Sequence, residues 1–238
     1  MENPAYITLA RQTALQRQMD VVANNIANAS TTGFKREGTL FAEAVEYLAA
    51  GGSISMSSDT ATFTDLSPGA IGETGDPLNV AITGDGMLGV IRGGETLYTR
   101  DGRFAINPEG ELVLLTGDRV LDAGGAPLQI PPDAGHIAIA RDGTVSAGGL
   151  PLGQLGLYAA DAARLERVGD GLFRTAEQAP AVDRPQFAQG FLEAANVDPV
   201  SELVRMIEIQ RAYERGQAIL QAEHDRISEV TEIAGKSV

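Results

Sequence analysis

VAITGDGMLGVIRGGETLYTRDGRFAINPEGELVLLTG, residues 80–117, decides how the middle of this chain folds. Val80-Ala81-Ile82 gives way to Gly84-Asp85-Gly86, Leu88-Gly89-Val90-Ile91 to Gly93-Gly94, and Thr96-Leu97-Tyr98-Thr99 to Asp101-Gly102. Apolar runs this short, each closed by a turn signal, have the spacing of antiparallel strands. The rhythm continues through Phe104-Ala105-Ile106, Leu112-Val113-Leu114-Leu115, Ile137-Ala138-Ile139 and Leu155-Gly156-Leu157. Asp-Gly pairs at 85, 101, 142 and 170 fall between such runs, and Asp-Gly accepts the positive φ angles of tight hairpins. Residues 78–187 are expected to form an all-β central domain of short antiparallel strands.

The same stretch holds Gly84-Asp85-Gly86-Met87-Leu88-Gly89, the spacing of a dinucleotide-binding loop. That motif needs a helix to follow it, whose N-terminus receives the pyrophosphate. Here Val90-Ile91 and Gly93-Gly94 follow, which read as a strand and a turn, so a hairpin is the better reading. Upstream, residues 42–77 carry Gly51-Gly52, a serine-rich run from Ser53 to Ser58, and Pro68-Gly69. They read as an extended connector with one or two short strands.

Both ends read as helices. Asn3 suits an N-cap and Pro4 the first helical position, and neither Gly nor Pro recurs before Asn28. Leu15, Met19, Val22 and Ile26 recur on one helical face. Ser30-Thr31-Thr32-Gly33 ends the helix. Asn24, Asn25 and Asn28 crowd that end, where they either weaken the helix or bond neighbouring backbone. At the other terminus Asp198 caps, Pro199 starts, Glu202 sits in the first turn and Gly235 follows the end. Met206, Tyr213, Leu220, Ile227 and Ala234 recur every seventh residue, but their companions Gln210, Gln217, His224 and Thr231 are polar. That seam is too weak for an autonomous zipper. The expected fold is therefore α+β: long N- and C-terminal helices packing as a coiled-coil-like stalk, with an inserted all-β central domain. The expected division is 1–41 for the N-terminal assembly helix, 42–77 for the connector, 78–187 for the β domain and 188–238 for the C-terminal assembly helix.

Composition narrows the chemistry. With 238 residues, 43% of them hydrophobic, the chain can bury a sizeable core. It has no cysteine and only two histidines, His136 and His224, which excludes disulfides, thiolate sites and His-rich metal sites. No apolar run approaches the about 20 residues of a membrane span, and no cleavable leader is legible at the N-terminus. The net charge of −14 argues against nucleic acid and anionic membranes. It is concentrated in residues 41–197, with nine bases against 21 acids, and the ends are near neutral. No G-x-S-x-G elbow and no EF-hand loop occur. Asp101 and Asp118 beside turn glycines read as turn chemistry, and Lys35-Arg36 as solvated or paired with acids. No catalytic residue, cofactor or metal is expected, and the chain is read as a structural assembly subunit.

Two segments carry a resemblance. Ala23-Asn24-Asn25-Ile26-Ala27-Asn28 followed by Thr32-Gly33-Phe34-Lys35-Arg36 is similar to the N-terminal signature of bacterial flagellar rod and hook proteins. Gln189-Gly190-Phe191-Leu192-Glu193-Ala194-Ala195-Asn196-Val197-Asp198-Pro199 and Arg205-Met206-Ile207-Glu208-Ile209-Gln210-Arg211-Ala212-Tyr213 resemble the C-terminal signature of that family. Ala81 to Gly86 and Tyr98 to Gly102 look like its central β domain. The proximal-rod member is the nearest match and the distal-rod member the alternative. The resemblance implies export through the flagellum's own apparatus without a cleaved signal, and a place in the basal body across the periplasm. It also implies helical assembly with copies of itself and other rod proteins, to transmit torque for motility. No nucleic acid, small-molecule substrate or membrane insertion is implied. The residues expected at assembly contacts are Leu15, Met19, Val22, Asn24, Asn25, Ile26, Asn28, Gly33 and Phe34 at one end. At the other they are Asn196, Val197, Leu203, Met206, Ile207, Arg211, Tyr213 and Leu220. A different class remains open: a periplasmic β-domain binding module with helical dimerisation segments.

Overall fold

The computed structural model describes residues 3–47, 53–131 and 134–235, which fall into two compact units. Gly51 and Gly52 of the expected connector lie outside the described residues, as do the side chains of Ile227, Thr231 and Ala234.

The first unit combines helix α1 (Asn3–Ala27), strands β1 (Glu37–Tyr47) and β2 (Ser53–Thr64), and helix α2 (Pro199–Gly235). β1 and β2 pair as a two-stranded ribbon. Asp198 caps α2: its carboxylate accepts from the Val200 N–H at 3.2 Å and the Ser201 hydroxyl at 2.5 Å. Those two bonds, the hydroxyl first, hold the Asp198 carboxyl below its ordinary range.

The coiled-coil-like stalk is a correction. Among the described residues the chain has one α-helix towards each end and a largely β region between them, and no coiled-coil stalk is shown. Met206, Tyr213 and Leu220 of the expected seam are only half-buried. Among the described side chains, the buried α2 positions are Glu202 and Ile209, and those of α1 are Gln12, Ala14, Val22 and Asn25. The covered face of α2 therefore includes a carboxylate at Glu202, where knobs-into-holes packing calls for a large apolar side chain. A polar contact also joins the helices: Gln12 donates from Nε2 to the Tyr213 carbonyl at 2.9 Å.

Gly216 makes room for that bond, since a Cβ there would lie 2.3 Å from Gln12 Nε2. Gly216→Ala is expected to displace the amide, losing about 1 kcal/mol of net hydrogen bonding. Alanine returns a similar amount, about 1 kcal/mol, in helix propensity. The single change is thus expected to be near neutral, whereas Gly216→Ala in a Gln12→Ala background should stabilise by about 1 kcal/mol. Urea denaturation of the four chains checks this, and equal effects in both backgrounds would contradict it.

The second unit comprises residues 28–36 and 64–197. Its strands are β3 (Ile71–Glu73), β4 (Val80–Ile82), β5 (Met87–Arg92), β6 (Glu95–Thr99), β7 (Phe104–Ile106), β8 (Leu112–Leu114) and β9 (Arg119–Val120). Then come β10 (Ile137–Ile139), β11 (Thr144–Ala147), β12 (Leu150–Gln154), β13 (Leu157–Tyr158), β14 (Leu165–Gly169), β15 (Leu172–Thr175), β16 (Phe187–Gln189) and β17 (Phe191–Glu193). The main sheet runs β14-β15-β6-β5-β9-β8-β7, with β13 also on β5, and every described pairing is antiparallel. A three-stranded sheet, β10-β11-β12, and the pairs β16-β4 and β17-β3 complete the unit.

Strand alternation sends neighbours to opposite faces, and both faces are covered. Leu88, Val90, Leu97 and Leu172 join the larger core, while Met87, Tyr98 and Phe173 join a smaller one with Tyr158. Tyr98 and Tyr158 meet edge to face at 5.6 Å, and their hydroxyls bond the Ala179 N–H and the Asp122 carbonyl, each at 3.0 Å. Burial pushes the Tyr158 phenol up.

The turns sort by geometry. Gly93-Gly94 joins β5 to β6 with both residues at positive φ, the requirement of a type I′ hairpin. The G-x-G-x-x-G run thus feeds a strand and a turn. Asp170-Gly171 does the same between β14 and β15. Asp101-Gly102 closes no hairpin: a Cβ on Gly102 would sit 1.8 Å from the Val80 carbonyl oxygen, so glycine there permits a close backbone approach.

Candidate assembly site

Residues 28–36 arrive in the second unit directly after α1, and residues 190–197 arrive directly before α2. The backbone joins them: Gly33 N–H donates to the Glu193 carbonyl at 2.8 Å and Asn196 N–H to the Phe34 carbonyl at 3.3 Å. Gly33 has φ +66°, and a Cβ on it would lie 2.5 Å from the Arg100 carbonyl carbon. Only glycine satisfies that dihedral and that gap together.

Asn196 works as a splice. Its Oδ1 accepts from the Arg36 N–H at 2.6 Å, and its Nδ2 donates to the carbonyls of Asp65 and Ser67 at 2.9 and 3.0 Å. One side chain thereby satisfies backbone from two segments distant in sequence. Asp65 is held below the ordinary carboxylate range, chiefly by the Ser67 N–H.

Beneath the splice is a buried ionic cluster. Lys35 is 0% exposed, and its Nζ donates to Glu193 Oε1 at 2.6 Å and to the Ser67 carbonyl at 2.7 Å. Glu193, 1% exposed, also accepts from the Gly69 N–H at 2.8 Å and from Arg100 Nη1 at 3.1 Å. Arg100 Nη2 reaches the Gly84 carbonyl at 3.0 Å. Two cations share one carboxylate. Desolvation pushes the Lys35 ammonium below its ordinary value, against the opposing pull of Glu193. Above the segment, the Arg167 guanidinium stands over the rings of Phe34 and Phe173, 4.7 and 4.8 Å from their centres. Its Nη2 also donates to the Lys35 carbonyl at 2.6 Å.

In the first unit Asn25 is 0% exposed. Its Nδ2 donates to the Glu37 carbonyl at 2.8 Å and its Oδ1 accepts the Glu37 N–H at 2.9 Å, imitating a strand partner at the start of β1. Nδ2 also contacts Glu202 Oε2 at 3.3 Å. Of the readings open for this asparagine, backbone bonding is the one realised. Asn28 accepts the Thr31 hydroxyl at 3.3 Å and the Thr31 N–H at its carbonyl.

The expected assembly residues divide by burial. Val22, Asn25, Gly33, Phe34 and Val197 are buried; Leu15, Met19, Ile26, Asn28, Asn196, Met206, Tyr213 and Leu220 are half-buried; Asn24, Leu203, Ile207 and Arg211 are exposed. Gly33, Phe34 and Asn196 come together in the second unit. Sequence reading missed Glu193, Arg100, Arg167 and Gln12. Lys35 next to the glycine-aromatic pair was the available signal, since a cation placed there invites a search for a distant acid.

Among the described residues no group of three His, Asp or Glu side chains is placed to hold a metal ion, and no helix is long and apolar enough to cross a membrane. A cleft of about 510 Å³ in the second unit is lined by Leu66, Met87 and Arg100 with Asp85 and Asp183.

Polar contacts thus tie together the two segments that flank the helices. The sequence is similar to known structural proteins. Residues 6–35 match the model of flagella basal body rod proteins. Residues 81–147 match the D1 domain of the flagellar hook protein FlgE/F/G, and 188–233 the C-terminal region of flagellar basal body rod FlgEFG proteins. The flagellar basal-body rod protein FlgF of Caulobacter vibrioides is 40% identical over 90% of each chain, and that of Mesorhizobium japonicum 36% over 92% of each. The rod protein FlgG of Bacillus subtilis is 32% identical over 92% of this chain and 94% of its own. The chain belongs to the flagellar basal-body rod protein family, structural components of the bacterial flagellum.

Proposed function

We propose that this chain is a proximal-rod subunit that assembles helically, with copies of itself and with other rod proteins, and transmits torque for motility. The observation that carries this is the exposed face of α2. Val200, Leu203, Val204 and Ile207 stand at i, i+3, i+4 and i+7, with Leu203 50% and Ile207 48% exposed. That spacing is an apolar stripe left without cover in a single chain, and such patches mark interaction surfaces. A patch that meets a different patch on the next copy propagates as a helical array. The near-neutral ends and the acidic middle support terminal contacts and an outward-facing β domain. The similarity to proteins named FlgF supports the proximal position.

In this reading 1–41 and 188–238 serve assembly, and the β domain of 78–187 is extended by residues 28–36, 64–77 and 188–197 of the second unit. The subunit leaves the cytoplasm through the flagellar export apparatus and occupies the periplasmic part of the basal body. It needs no cofactor and catalyses no reaction.

Leu203→Glu combined with Ile207→Glu tests the proposal. Both residues are half-exposed, so the thermal melt of the purified chain is expected to stay within about 0.5 kcal/mol of the parent. Incorporation into purified basal bodies and swimming in soft agar are expected to be lost. Normal swimming by this variant would overturn the reading.

A further inference from the structure

We infer that the Lys35–Glu193–Arg100 cluster is a closure latch: the β unit acquires its protected core only when residue 193 has joined residue 35. The unit is not closed by its own central strands. Its boundaries are drawn by two segments that reach it from opposite ends of the sequence, and the cluster is where they meet. Lys35 and Glu193 are 158 residues apart and both are sealed from water. Glu193 belongs to β17, which pairs β3, and its carboxylate also holds the Gly69 N–H between β2 and β3. Arg100 follows β6 of the main sheet directly, and its second nitrogen bonds the Gly84 carbonyl before β5. The one carboxylate thus ties the entering and leaving segments to Arg100 at the end of β6, whose other nitrogen reaches Gly84 ahead of β5.

The chemistry makes closure all-or-none. With Glu193 absent from the cluster, Lys35 and Arg100 are two buried cations acting on each other with no carboxylate bonded to either, and Asp65 is left as the more distant anion acting on Lys35. A buried charge without its partner is strongly destabilising, whereas the complete set is tolerated. The partly assembled unit therefore has no comfortable intermediate with its core dry. Because Lys35 and Glu193 lie 158 residues apart, the latch keeps the β unit open until both of its flanking segments are free to meet.

Hydrogen exchange on the purified full chain tests it. Glu193→Gln keeps the side-chain shape and removes the charge. It is expected to accelerate exchange at the core amides of Leu88, Val90, Leu97 and Leu172 by about a hundredfold or more, because breaking a buried pair opens the whole unit. Adding Lys35→Met removes one of the two stranded cations and is expected to recover at least about tenfold of that protection. Acceleration confined to 28–36 and 190–197, with the core strands unchanged, would show only a local tether and overturn the latch. If Glu193→Gln alone prevents folding, the double variant decides: a folded chain supports the latch, and an unfolded one overturns it. The α2-face variant reads incorporation and this experiment reads monomer exchange, so the two ideas fail separately.

Discussion

Glu193→Ala is expected to destabilise the protein by about 3–5 kcal/mol, the range for breaking a buried ion pair by removing one partner. The loss exceeds that of a hydrogen bond because of what remains. Lys35, at 0% exposure, and Arg100, at 5%, keep their charges in the interior without the carboxylate. The Gly69 N–H loses its acceptor as well. Guanidinium denaturation of the variant beside the parent checks the size, and a loss below about 1 kcal/mol would contradict the cluster's role.

The same variant has a pH signature. Burial already places the Lys35 pKa below 10.5 in the folded protein, and losing Glu193 removes the main force that raises it. Between the folded pKa and the unfolded value the unfolded chain binds more protons, so stability rises with pH there. Below the folded pKa both states carry the proton and Lys35 contributes no slope. Glu193→Ala widens that interval downwards. The deficit of the variant relative to the parent is therefore expected to shrink as pH is raised from 7 towards 10. A deficit constant across that range would show that Lys35 does not titrate in response.

Gly33→Ala is expected to lose about 2–5 kcal/mol. A left-handed backbone dihedral costs a residue with a Cβ about 1–2 kcal/mol, and forcing an atom into a filled space costs about 1–3 more. The atoms in the way are backbone: the Arg100 carbonyl carbon at 2.5 Å, its oxygen at 2.6 Å and the Asp101 nitrogen at 2.6 Å. No rotamer change relieves such a clash. Asparagine tolerates the dihedral but still carries the Cβ, so Gly33→Asn is expected to fall almost as far as alanine. Thermal denaturation of both variants separates the two contributions. A fully stable Gly33→Asn would assign the whole effect to φ, and a fully stable Gly33→Ala would remove the steric requirement.

Strands and turns were readable because their causes are local. Gly93-Gly94 and Asp170-Gly171 are hairpins for reasons contained in two residues, and the run from Val80 to Leu114 breaks into short apolar stretches separated by turn residues. The start of α2 was readable likewise, since Asp198 and Pro199 act on its first turn. The coiled-coil-like stalk was misjudged because a seven-residue repeat says which residues share a face and nothing about which face is covered. Met206, Tyr213 and Leu220 satisfied the repeat, yet the buried side runs through Glu202 and Ile209.

By itself, then, the sequence determined the local elements, the family and the two segments that matter. Only the tertiary structure decided that Lys35 belongs to Glu193 and Arg100, that Asn25 completes the edge of β1, and that Asn196 splices two distant strands of chain. These are pairings across long separations, made by single polar atoms that leave no periodicity behind. Their energy comes from exclusion of water, and that exclusion exists only once the surrounding chain has closed over them.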